Sequence, residues 1–112
     1  MSRNMSFAMT TQQFIKHEKT VTRRFGWDFL KPGDIVRGVR KGMGLKKGEK
    51  VEVIGMIRIL STRKEPLGNI DTDDCIREGF PDMTPEDFVT MLKEKYNCSE
   101  SSLINRIEFE YI

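Results

Sequence analysis

A chain of 112 residues, 38% hydrophobic and 32% charged, fits a single domain over residues 1–112 that can bury a modest core without a metal or disulfide staple. Its two cysteines, Cys75 and Cys98, form no Cys-x-x-Cys pair and share the chain with one histidine, which argues against zinc and against a disulfide framework. No apolar run approaches the ~18–20 residues that span a bilayer, and the first residues lead into no signal-type hydrophobic region. The expectation is a soluble, cytoplasmic protein with reduced thiols and no metal, cofactor or membrane partner.

In chain order, residues 5–9 read as a short strand. A helix follows over about 11–17, with Thr10 or Thr11 as N-cap and Phe14 and Ile15 as its buried side. The β-branched Thr20-Val21-Thr22 favours a strand running into Arg24, which leaves Lys19 at the helix-to-strand turn. Pro32-Gly33-Asp34 is turn chemistry: proline fixes φ, glycine permits the positive φ of a type II turn, and Ile35–Val39 follows as a strand. Gly42, Gly44 and Gly48, set among Lys41, Lys46 and Lys47, mark a loop. Val51, Val53, Ile57 and Ile59 share one parity, so residues 50–61 form one long strand or two broken at Gly55.

Beyond Pro66 the period turns helical. Asp71 or Thr72 caps a short helix that Gly79 closes, which puts Glu78 at a helix C-terminus. Thr84-Pro85-Glu86-Asp87 opens a second helix over about 85–96, with Phe88, Val89, Leu92 and Tyr96 on one face. Ile107-Glu108-Phe109-Glu110-Tyr111 alternates strictly and should be the closing strand. Five or six mostly antiparallel strands with two or three helices make an α+β domain built on a partly closed barrel.

The net charge of +2 is unevenly spread: residues 1–64 carry fifteen Lys and Arg against five Asp and Glu, residues 65–112 four against twelve. If the first part forms one face, its positive field suits phosphate; otherwise the two signs interleave and solvate the surface.

Chemistry concentrates in residues 17–24, where an amine, two threonine hydroxyls and a guanidinium fall close together. A lysine at a turn is usually solvated, but one with its stem covered and its ammonium facing a concavity has a lowered pKa. Thr20 and Thr22 share strand parity and can bond a ligand or a neighbouring strand. Arg23 and Arg24 point to opposite sides, so one forks onto a carboxylate or phosphate and the other lies in solvent. Glu78, in the unfavourable field of a helix end, is either a plain surface glutamate or wants a cationic partner, and Lys19 would satisfy it. Phe25, Trp27 and Phe29 alternate beside the arginines. Trp27 is the candidate for base stacking, with core packing as its alternative. The loop from Gly42 to Gly48 lacks the Gly-Lys-Ser/Thr ending of a phosphate loop; it is a plain exposed loop or a basic hairpin touching a nucleic-acid backbone, with Arg40 and Lys41 as candidate contacts.

The order Lys19-Thr20-x-Thr22-x-Arg24, then Pro-Gly-Asp into an apolar strand, then Glu78-Gly79-Phe80 after a short helix, resembles the ASCH family (activating-signal-cointegrator homology domains), small barrels of the PUA-like kind. The resemblance covers essentially the whole chain. The family pattern usually carries a glycine two residues before the motif lysine, where this chain has His17. What the resemblance implies is a binder of nucleic acid or of a nucleotide; joined to the reading of the residues, the expectation is a monomer that takes RNA or a modified pyrimidine base, with Thr20, Arg24, Trp27, Arg40 and Lys41 as ligand contacts. One branch of the family, small bacterial amidohydrolases acting on 4-acetylcytidine, uses a lysine, a threonine and a glutamate. By position these become Lys19, Thr22 and Glu78: one to polarise or deprotonate, one to act as nucleophile or water anchor, one as acid/base. A third possibility is an interaction protein that kept the barrel and lost the pocket, with Trp27 or Phe80 filling the cleft.

Overall fold

The computed structural model describes residues 3–41 and 47–112; Gly42 and Gly44 of the glycine loop lie outside them. Strand β1 (Arg3–Ser6) is followed by helix α1 (Thr11–Ile15), then by strands β2 (Val21–Arg24), β3 (Ile35–Val39) and β4 (Val53–Pro66), helices α2 (Thr72–Arg77) and α3 (Pro85–Tyr96), and strand β5 (Leu103–Tyr111). The fold is α+β. Its strands make one sheet in the order β1-β3-β4-β5-β2, parallel only between β1 and β3. The long β4 pairs with β3 through its first half and with β5 through its second, so the sheet curls into a half-barrel. Inside lie Met5, Phe7, Phe14, Ile57, Ile59 and Phe109. A second core of Leu67, Phe88, Leu92 and Ile104 seats α2 and α3.

Several boundaries differ from expectation, each for a local reason. β1 covers 3–6 rather than 5–9, because after Phe7 the chain turns: the Thr11 hydroxyl donates to the Phe7 carbonyl at 2.8 Å and the Thr10 N–H to the same oxygen at 3.1 Å. α1 stops at Ile15, two residues early, in a Schellman closure: the Glu18 N–H reaches Gln13 O at 2.9 Å and the His17 N–H reaches Phe14 O at 3.0 Å. His17 takes the left-handed position of that closure at φ 60°, where the family pattern has glycine, and its ring stacks on Tyr111 at 4.0 Å. In so short a helix Phe14 is the only apolar residue that turns inward, beside the buried Thr11, and Ile15 is exposed.

β4 runs through Gly55 unbroken. A Cβ at Gly55 or at its register partner Gly38 would collide with the Phe14 ring, so both glycines let that ring sit against the sheet. The register with β3 skips Ile54 and that with β5 skips Leu60. The bulge at Ile54 changes which parity faces inward, which is why Val53 is exposed while Ile57 and Ile59 are buried; Val51, also exposed, precedes the strand. β5 begins at Leu103, four residues before the alternating stretch, because Ile104 faces the second core and Arg106 an ion cluster. Two elements match in detail. α3 spans 85–96 behind a Thr84/Asp87 capping box, and the Pro32-Gly33 turn closes with the Asp34 N–H on Lys31 O at 3.1 Å and Gly33 at φ 95°. Among the described residues, no helix is long and apolar enough to cross a membrane, and no group of three or more His, Cys, Asp or Glu is placed to hold a metal ion.

Candidate functional site

The edge strands β1 and β2 do not pair with each other, and a cavity of about 560 Å³ opens at this seam. It is lined by the segment after β1, by Thr22, Arg23 and Arg24 of β2, by Glu78 and Phe80 behind α2, and by the apolar face of α3. The Arg24 side chain spans the seam. One Nη–H donates to the Ser6 carbonyl at 2.6 Å, and the guanidinium carbon lies 4.9 Å from the centre of the Phe7 ring.

Lys19 leaves the Schellman turn of α1 and is pinned on both sides: the Thr20 N–H donates to Arg77 O at 2.8 Å, and the Tyr111 hydroxyl to Lys19 O at 2.5 Å. Its side chain is 3% exposed. The ammonium donates to Glu78 Oε1 at 2.7 Å and to the Glu78 carbonyl at 2.8 Å. One cation thereby pairs with the carboxylate and caps the end of α2, where the helix dipole favours positive charge. Burial lowers the Lys19 pKa, and attraction to Glu78 offsets only part of that effect.

Neither arginine lies in solvent, contrary to expectation. Arg23 turns away from Thr22 and Arg24 and enters a buried network. It donates to Asp74 Oδ2 at 2.5 Å, to Glu65 Oε2 at 3.0 Å and to Glu78 Oε2 at 3.4 Å, and its Nε–H has no partner. Arg106, its register neighbour on β5, clasps Asp74 with two bonds of 2.7 and 3.0 Å. That clasp, more than Arg23, holds the Asp74 carboxyl far below the usual carboxylate range against the opposing effect of burial. For Arg23 burial works to lower the pKa, but the Asp74 hydrogen bond and the pull of Glu78 and Glu65 outweigh it, and the guanidinium stays charged.

Thr22 is buried, lines the cavity and accepts from Arg24 Nε at 3.0 Å. Lys19, Thr22, Arg24 and Glu78 therefore share one cavity. Thr20 and Trp27 do not line it. The Thr20 carbonyl accepts from the Phe109 N–H at 3.0 Å. Trp27, at φ 61°, packs on the half-barrel core and against Phe29. Arg40 is bonded to Glu52 at 2.6 Å and belongs to a second, smaller cavity of about 390 Å³; Lys41 lines both. Phe80 forms part of the wall without filling the space. Sequence reasoning missed Asp74 and Arg106, and it left open which arginine forks onto carboxylates, a part that Arg23 takes. Asp74 reads as one more acid in a helical first turn, and its partners arrive from separate strands with no motif joining them.

No family model matches this chain, and no curated protein matches it. Solved structures do. The hypothetical protein PH0355 is 16% identical with a TM-score of 0.70 over the full length of both chains. Protein EF3133 from Enterococcus faecalis, assigned to the family DUF984, is 16% identical with a TM-score of 0.69, covering 100% of this chain and 76% of its own. An ASCH domain from Lactobacillus crispatus is 14% identical with a TM-score of 0.63, covering 98% of this chain and 79% of its own. The α+β half-barrel is thus a fold shared with these proteins. It is the fold of an ASCH domain, as the order of sequence motifs implies.

Proposed function

We propose that this chain binds RNA or a nucleotide, with a nucleobase held in the cavity against Lys19, Thr22, Arg24 and Glu78. The observation that carries this reading is a buried Lys19–Glu78 ion pair that opens onto a cavity instead of being sealed in a packed interior. Buried ion pairs are poor stabilisers, and convergent polar groups in a concave, largely apolar pocket are the usual form of a ligand site. The volume lies within the range of small-molecule pockets, roughly 300–1,000 Å³. Phe80, Phe88, Met91 and Tyr96 supply apolar and aromatic walls for a ring. Lys19 spends two N–H groups on Glu78 and Arg24 spends its Nε–H and one Nη–H on protein oxygens, so each keeps donors for ligand carbonyls or ring nitrogens. Lys41 and Lys95 line the same cavity and suit phosphate.

Calorimetric titration with nucleosides, nucleotides and short RNA tests the reading. Saturable binding that weakens at least about tenfold in Lys19→Met, the loss of a charge-assisted contact, is the expected result; equal affinity of the variant and the parent refutes it.

A second reading, an amidohydrolase for 4-acetylcytidine-type nucleosides, is favoured by one further observation: Lys19, Thr22 and Glu78 face a common space, and Arg24 Nε–H donates to the Thr22 oxygen. That bond favours the deprotonated hydroxyl, as a nucleophile requires. In this reading water is added across the acetyl amide to give cytidine and acetate. Product formation that is lost in Glu78→Gln supports it, and none at high protein concentration removes it.

A further inference from the structure

The mouth of the cavity carries an aromatic pair that neither core uses. Phe25 follows β2 and Tyr96 ends α3; their rings meet edge to face with centroids 5.5 Å apart. They are 36% and 46% exposed, and neither belongs to the buried clusters of the half-barrel or of the helical layer. Tyr96 lines the cavity, so the pair is continuous with the site. Its surroundings are basic. The Lys95 ammonium lies 5.2 Å from the centre of the Tyr96 ring, Lys95 and Lys41 line the same opening, and Arg24 precedes Phe25 in the chain.

Exposed rings set among cations are what proteins use to hold unpaired nucleic acid. Every base has a face to stack, and the cations follow the backbone. A duplex offers no such free face except at its ends. We propose that Phe25 and Tyr96 form a stacking platform for the base next to the one in the cavity. The ligand is then a single-stranded nucleic acid of two nucleotides or more, with the linking phosphate near Lys95 or Lys41. This rests on the binding reading above and adds the class of ligand. It also moves the stacking role from Trp27, which is packed on the core and does not line the cavity, to a pair that is free to take a base.

The test compares a single-stranded oligoribonucleotide with the matching mononucleotide, by anisotropy and calorimetry, on the whole chain. The parent should bind the oligonucleotide more tightly. Phe25→Ala should weaken oligonucleotide binding about tenfold, the usual effect of losing one stacked base, while mononucleotide affinity and thermal midpoint stay unchanged. Tyr96→Ala should weaken both ligands, and Tyr96→Phe should restore both, since a stacked ring needs no hydroxyl. Equal affinity of the parent for the two ligands, or Phe25→Ala and Tyr96→Ala both leaving oligonucleotide binding intact, overturns the platform but leaves the mononucleotide pocket standing. A parent that binds neither ligand overturns both.

Discussion

Lys19 gives up its hydration for two contacts with a single residue, the carboxylate and the carbonyl of Glu78. Removing the ammonium leaves Glu78 buried with only Arg23 at 3.4 Å. Breaking a buried pair from one side costs about 3–5 kcal/mol, so Lys19→Met should lower the urea midpoint strongly, and adding Glu78→Gln should recover part of the loss. The pH dependence has a definite sign. A lysine whose pKa is lowered on folding binds its proton more weakly in the native state, so its contribution to stability rises with pH. That rise falls in a window ending near the ordinary lysine value of 10.5. Tyr111 works the other way: burial raises its pKa above the ordinary 10.0, and stability falls once the unfolded chain ionises there. Urea midpoints between pH 8 and 10 should therefore climb in the parent relative to Lys19→Met; parallel curves contradict the assignment.

At the scale of elements, α2 matters because it presents Asp74 and Glu78 one turn apart. Asp74 is gripped by Arg106 and Arg23, and this grip sets where Glu78 stands. Asp74→Asn should destabilise the fold by about 3–5 kcal/mol and weaken nucleotide binding, although Asp74 does not line the cavity. The Asp74 contribution is present above its ordinary value of 3.8 and lost as pH falls below it, so the variant should show a flatter acid limb in melting experiments. Parent-like affinity in a folded Asp74→Asn protein would show that the clasp does not position Glu78. What could be read in advance divides along this line. The α3 boundaries, the Pro32-Gly33 turn and the cap of α2 are encoded within a few residues, and local chemistry sufficed. The bulges at Ile54 and Leu60 and the Arg23–Asp74–Arg106 network depend on register between strands far apart in the chain, which no local pattern carries.

For the whole molecule, the unequal halves of the sequence do not become one basic and one acidic face. Antiparallel pairing lays the basic β4 against the acidic β5, and charges of the two parts interleave as Arg58–Glu110 at 2.7 Å and Arg63–Glu65 at 2.9 Å, with Lys19–Glu78 and Arg23–Asp74 inside. What remains unbalanced is local: the cavity gathers Lys19, Arg23, Arg24, Lys41 and Lys95 around one glutamate. Salt dependence of binding should accordingly be shallow, with log K falling by about 0.7 per decade of salt for each phosphate held. A steep slope would point to a broad basic face. The convergence of Lys19 with Glu78 across 59 positions was anticipated from the helix-end field at Glu78, which calls for a cation, and from the order of family motifs, because nothing in the spacing itself brings them together.

The account turns on the Lys19 ammonium facing a ligand space. Its most direct test is the proton–nitrogen NMR spectrum of the lysine side chains during titration with a nucleotide. The Lys19 resonance, protected by burial, should shift saturably while that of exposed Lys93 stays still; a Lys19 signal unmoved at saturating nucleotide would contradict the placement of the site.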